Sequence, residues 1–146
     1  MILDRHAIGL LIPHQGSMCL LDTVDEWDAQ HIVCTTRQHA LATNPLRTDG
    51  EVSCVHGIEF AAQAMAVHGG LLAPPSTTPR IGLLLSVRRC VFHCARLDDI
   101  DAALVVEAEK IAGSDETLSY RFALHAAGAP LVEGRANVML RKRNGR

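Results

Sequence analysis

Two periodicities divide the chain. Over residues 55–72, Ile58, Ala61, Ala62, Met65, Ala66 and Gly69 recur at spacings of three and four, while Phe60, Ala64, Val67 and Leu71 fill the other side. A helix that is apolar nearly all round is a buried helix, and Gly69-Gly70 supplies its stop. Further on the period falls to two. Leu118, Tyr120, Phe122 and Leu124 alternate with Ser119, Arg121, Ala123 and His125, and Val132, Ala136, Val138 and Leu140 alternate with Glu133, Arg135 and Asn137. These are two strands with one wet face, joined at Gly128-Ala129-Pro130 as a tight hairpin. Residues 81–97 and 102–112 add two more, the former long enough to bend.

Ahead of the helix, residues 18–27 and 31–37 carry Val24, Ile32, Val33, Thr35 and Thr36 around the polar break Asp28-Ala29-Gln30, which predicts a hairpin. A short helix over residues 3–11 stops before Pro13, because the residue preceding proline disfavours helix. Residues 40–52 hold Asn44-Pro45 and Asp49-Gly50 and read as a loop, and the Pro-rich 73–79 as a surface connection. With no βαβ alternation, the prediction is a single α+β domain over 1–146, an antiparallel sheet wrapped around one long helix.

Composition narrows the function. Hydrophobic residues make up 48% and charged residues 21% of the 146, which excludes a disordered chain. Aromatic residues make up only 3%, so the core is aliphatic and platforms for stacking nucleic-acid bases are missing. A net charge of −2 provides no field toward nucleic acid or an anionic membrane, and the basic cluster Arg141, Lys142, Arg143 and Arg146 reads as a solvated tail. Apolar runs fall short of the roughly 18 residues of a membrane span. Cys19, Cys34, Cys54, Cys90 and Cys94 form an odd, irregularly spaced set with no leader before them, which points to reduced thiols in a cytoplasmic protein. In Cys90-Val91-Phe92-His93-Cys94, strand alternation sets His93 on the face opposite the cysteines, so buried thiols are preferred to a metal site.

No Gly-rich phosphate loop, nucleophile elbow or metalloprotease helix is present in the sequence. The chemistry that remains lies on the buried helix. A carboxylate at Glu59 is costly to bury unless paired, neutral or used, and would serve as a general acid or base. Gln63 follows at i+4 on the same stripe. Capping is the other reading of Glu59, since acidic side chains favour a first helical turn. His14 sits in a loop, His56 precedes Gly57 at the helix start, and His68 near the helix end suits the dipole. A surface or capping role is as natural for the first two as a catalytic one.

Taken together, these pieces resemble the hotdog-fold 3-hydroxyacyl-[acyl carrier protein] dehydratases of fatty-acid and polyketide synthesis. Leu11-Ile12-Pro13-His14-Gln15-Gly16-Ser17-Met18-Cys19-Leu20-Leu21-Asp22 looks like the family's N-terminal L-P-H signature, and Gly57-Ile58-Glu59-Phe60-Ala61-Ala62-Gln63-Ala64 is similar to its E-x-x-A-Q helix segment. The subgroup found in aryl-polyene pigment clusters is closer still, with Asn44-Pro45-Leu46 standing at its N/H-P-L turn. The resemblance implies a hotdog fold that dimerises, with itself or with a second hotdog chain, and an acyl chain carried on the phosphopantetheine arm of an acyl carrier protein. It also implies Glu59 and His14 as the catalytic pair, and Gly57, His56, Gln63 and Asn44 around the substrate, the Gly57 amide or another at that helix terminus polarising the thioester carbonyl. No metal or redox cofactor is required. The usual catalytic histidine of the loop before the glutamate is replaced here by Asn44-Pro45-Leu46-Arg47. His14 or His56 as base, a partner chain that completes the site, and acyl binding without turnover all stay open, with an acyl thioesterase as the rival activity.

Overall fold

A computed structural model describes residues 1–12, 16–73, 80–114 and 116–142. His14 lies outside the described residues, as do most of the Pro-rich connection and Arg143 and Arg146 of the basic cluster. The elements are α1 (Arg5–Gly9), β1 (Thr23–Trp27), β2 (His31–Thr36), α2 (Gly57–Leu72), β3 (Arg80–Phe92), β4 (Leu104–Gly113), β5 (Thr117–Ala126) and β6 (Ala129–Lys142). All six strands join one antiparallel sheet in the order β1-β2-β4-β5-β6-β3, which leaves β1 and β3 at the edges.

The sheet folds around α2 because each periodicity has an apolar side to bury. On α2, Phe60, Ala61, Ala64 and Val67 are inaccessible, and on the sheet Ile32, Val106, Tyr120, Phe122, Leu124 and Val132 face them. Strand β5 alternates without exception between buried and more exposed residues, as its period of two demands. The β5–β6 turn places Ala127 at φ 49° and Gly128 at φ 82°, the left-handed pair that a two-residue type I′ hairpin needs. Long β3 bends as expected, through irregularities between Leu84 and Ser86 and between Arg88 and Val91.

Two expectations change. The first strand starts at Thr23, not at residue 18: Gly16–Met18 is a 3₁₀ turn, and the backbone of Met18 and Leu20 bonds to the side chain of Gln63 instead of to a strand. The cysteines are not all reduced, since Cys54 and Cys94 pair as a disulfide with Cα atoms 6.0 Å apart. Strand β3 ends at Phe92, so the chain leaves face alternation before Cys94 and runs back along the helix start, where Cys54 N–H bonds the Ala95 carbonyl. Cys19, Cys34 and Cys90 are free, as expected. Among the described residues no helix is long and apolar enough to cross a membrane.

Candidate active site at the start of the central helix

A 3₁₀ turn, Cys54–His56, leads directly into α2. Ser53 starts it: its hydroxyl accepts the Val55 N–H and its carbonyl the His56 N–H. Gly57 then lies against the sheet so closely that a Cβ there would sit 2.8 Å from Cγ2 of Val132. Its N–H points back to the carbonyls of Cys54 and Val55. The amides of residues 54–57 are therefore all engaged, which corrects the expectation of a free amide at Gly57: the preceding 3₁₀ turn supplies the partners that a bare helix terminus lacks.

Two of the residues singled out in the sequence meet here. Nδ1 of His56 lies 3.2 Å from Oε2 of Glu59. The Glu59 side chain is 51% exposed and that of His56 27%. Of the two readings of Glu59, burial on the apolar helix and a place in the first turn that suits the helix start, the structure has the second: the side chain is half exposed, and the desolvation cost does not arise. His56 also lines an open cleft of about 240 Å³ with Thr48, Glu51, Ser53, Ala95 and Arg96. On the far wall Arg96 is held by Asp98 and, at 2.6 Å, by Glu51. The hydrogen bond from Arg96 keeps the Asp98 carboxyl well below the usual carboxylate range.

Gln63 and Asn44 spend their amides internally. Gln63 accepts the Leu20 N–H at 2.8 Å and donates to the Met18 carbonyl at 2.7 Å, clamping the stretch ahead of β1 to the helix. Asn44, also buried, donates to the Gln38 carbonyl at 2.6 Å and accepts the Leu46 N–H at 2.8 Å, which closes the loop on itself.

Other histidines play parts that local sequence does not signal. His68 does not serve the helix dipole: it is fully buried, with Nδ1 2.7 Å from the Tyr120 hydroxyl and Nε2 2.8 Å from the Asp28 carbonyl. His39 is equally buried, with Nε2 3.1 Å from the Ile100 carbonyl and, among the described residues, no hydrogen-bond partner for Nδ1. Burial pushes both pKa values down. These contacts span 40 residues or more of chain, beyond the reach of any periodicity. Chemically, the Glu59–His56 pair sets a carboxyl and an imidazole within hydrogen-bonding distance at a helix start, open to solvent on one side.

Comparison with known proteins extends this picture. The structure is similar to the ApeI:P dehydratase heterocomplex from Xenorhabdus doucetiae, with a TM-score of 0.78 and 21% identity over 94% of this chain and 93% of that one. It is also similar to thioesterases from Pseudomonas aeruginosa (TM-score 0.65, 12% identity, 97% and 96% covered) and Haemophilus influenzae (0.66, 8%, 97% and 93%). These likenesses establish the hotdog fold, an antiparallel sheet around a central helix. No curated protein sequence matches the chain. Residues 6–144 match the family described as ApeP dehydratase, and the chain thus belongs to the ApeP-like dehydratases.

Proposed function

We propose that this chain takes part in aryl-polyene synthesis by eliminating water from a 3-hydroxyacyl thioester on an acyl carrier protein, leaving a trans-2-enoyl thioester. The observation that carries the reading is the 3.2 Å contact between His56 and Glu59, at the position matched to the family's catalytic acid. A histidine takes the proton from C2 and the Glu59 carboxyl supplies one to the departing C3 hydroxyl, so a double bond and one water form. With His56 as the base, its hydrogen bond to Glu59 returns the proton and resets the pair. His14 is the other candidate, through the N-terminal signature. Gly57, Gln63 and Asn44 act as positioning residues that seat the helix start, the stretch before β1 and the loop.

Elimination in a dry site needs a cover over this open pair, and a second hotdog chain is the proposed cover. The test is loss of water from a 3-hydroxyacyl carrier-protein substrate, followed by mass spectrometry, with the chain alone and with a co-expressed hotdog partner. Glu59→Gln abolishes turnover on this reading, and whichever of His14→Ala and His56→Ala is inactive identifies the base. Wild-type turnover of Glu59→Gln in the complex assigns the chemistry to the partner and leaves this chain a supporting subunit. That second reading is favoured by the exposure of Glu59 and by Asn44-Pro45-Leu46-Arg47 at the usual histidine position. Release of free thiol without dehydration would assign a thioesterase instead.

A further inference from the structure

The outer face of the sheet carries a row of cations that the proposed chemistry does not use. Strand register sets Arg88 of β3 opposite Arg135 of β6, and Arg135 opposite Arg121 of β5. The row continues to Glu109 of β4 and His31 of β2. All three arginines are exposed, and Arg89 beside them is exposed in the β3 bulge. Like charges directly opposite one another across strands oppose folding, and here two such contacts are consecutive. Arg121 pairs with Glu109 at 2.7 Å. Among the described residues no carboxylate lies within ion-pair distance of Arg88 or Arg135. The neighbouring acidic groups of β6 and β4 are paired with histidines, Glu133 with His93 and Glu107 with His125. On the opposite side of the row, Ser119, Asn137 and Ser86 form a flat, neutral hydrogen-bonded strip.

We propose that this face of β5, β6 and β3 docks an acidic helix of another protein, laid across the strands. The spacing fits. Neighbouring strands lie about 4.8 Å apart, so Arg88 to Arg121 spans roughly 10 Å. Residues i and i+7 of a helix are about 10.5 Å apart along its axis, with i+3 or i+4 midway between them, so three carboxylates on one helix face match three guanidiniums. Arginine forks suit carboxylates in two-point contact. The occupant is not a second copy of this chain, because α1 carries no acidic residue in its first turn or beyond and α2 only Glu59. An extended polyanion such as a nucleic acid fits poorly, because Glu109, Glu107 and Glu133 bound the row and the chain's net charge is −2.

The surface does not depend on the roles of Glu59 or His56, so its test is separate. The probe is a fluorescent 16-residue Ala/Gln helix with glutamates at i, i+4 and i+7, titrated with the full chain and compared with a peptide of the same composition whose glutamates are spread around the helix. Binding of the first peptide is expected to be about tenfold tighter than of the second, and Arg135→Glu to weaken it about tenfold. Glu109→Gln, which frees Arg121, is expected to tighten it about threefold, and added salt to weaken it. Circular dichroism of each variant separates lost binding from lost fold. Equal binding of the two peptides, no response to Arg135→Glu in a folded variant, tighter binding of oligothymidylate, or no saturable binding up to about 1 mM would each overturn the proposal.

Discussion

Replacing Gln63 with alanine tests whether one helix side chain holds the stretch ahead of β1 in place. The substitution removes both bonds of the clamp, at 2.8 Å to the Leu20 N–H and 2.7 Å to the Met18 carbonyl. Leu20 is 3% exposed, so its N–H loses its partner without access to water, a desolvation penalty of about 1–3 kcal/mol. Met18 is 49% exposed and its carbonyl can rehydrate, which adds only about 0.5–1 kcal/mol. The expected loss is therefore roughly 2–4 kcal/mol, or a fall in Tm of about 5–15 °C for a chain of this size. Urea unfolding of wild type and variant at one protomer concentration measures it, and exchange of the Leu20 amide reports the same site locally. Gln63→Glu should fare no better: it keeps an acceptor for Leu20 but sets a carboxylate against the Met18 carbonyl. A loss below about 1 kcal/mol, with Leu20 still protected, would refute the clamp.

At Gly57, alanine is compatible with the local φ of −56° but forces its Cβ into Val132, so we expect a net loss of about 1–2 kcal/mol, relieved when combined with Val132→Ala in a double-mutant cycle. The buried histidines set a pH dependence. Burial lowers the pKa of His39 and of His68, so the unfolded chain binds protons more readily, and the stability these groups contribute is present above about pH 6.5 and lost as pH falls below it. His31, whose pKa is raised by its bond to Asp28, acts in the opposite sense, its contribution fading as pH rises. Urea midpoints should fall between pH 7.5 and 5.5, and His68→Asn should flatten the slope; an unchanged midpoint would show that neither buried ring resists protonation. Reduction of the Cys54–Cys94 bridge, which closes a separation of 40 residues, frees unfolded-chain entropy worth about 4 kcal/mol, so a reductant should lower the unfolding midpoint of wild type and leave Cys94→Ser unchanged.

Several of these features were legible residue by residue and others were not. Alternation along β5 and β6 needs only each residue's neighbours, and it anticipated both strands, while the turn expected at Gly128-Ala129-Pro130 falls at Ala127-Gly128. The helix was equally local, but its stop was not: α2 runs on through Gly69-Gly70 to Leu72, with Ala73 as its cap. Local sequence left burial and a first-turn cap both open for Glu59, because the exposure of that side chain depends on what the tertiary structure packs beside the helix start. The role of Gln63 was hidden for a related reason: a glutamine on an apolar helix announces a polar partner but not that the partner is backbone more than 40 residues away.

By itself the sequence determined the kinds of element, their order, an aliphatic core and the pairing of an acidic residue with a glutamine one helical turn on, because these follow from spacing along the chain. The tertiary structure decided which partners those residues found. It brought His56 to Glu59, turned the Gly57 N–H back into the 3₁₀ turn, joined Cys54 to Cys94 and aligned Arg88, Arg135 and Arg121 across three strands. Local periodicity says which face a side chain takes. Strand register, which moves every side chain to the other face with a slip of one residue, says what it meets there.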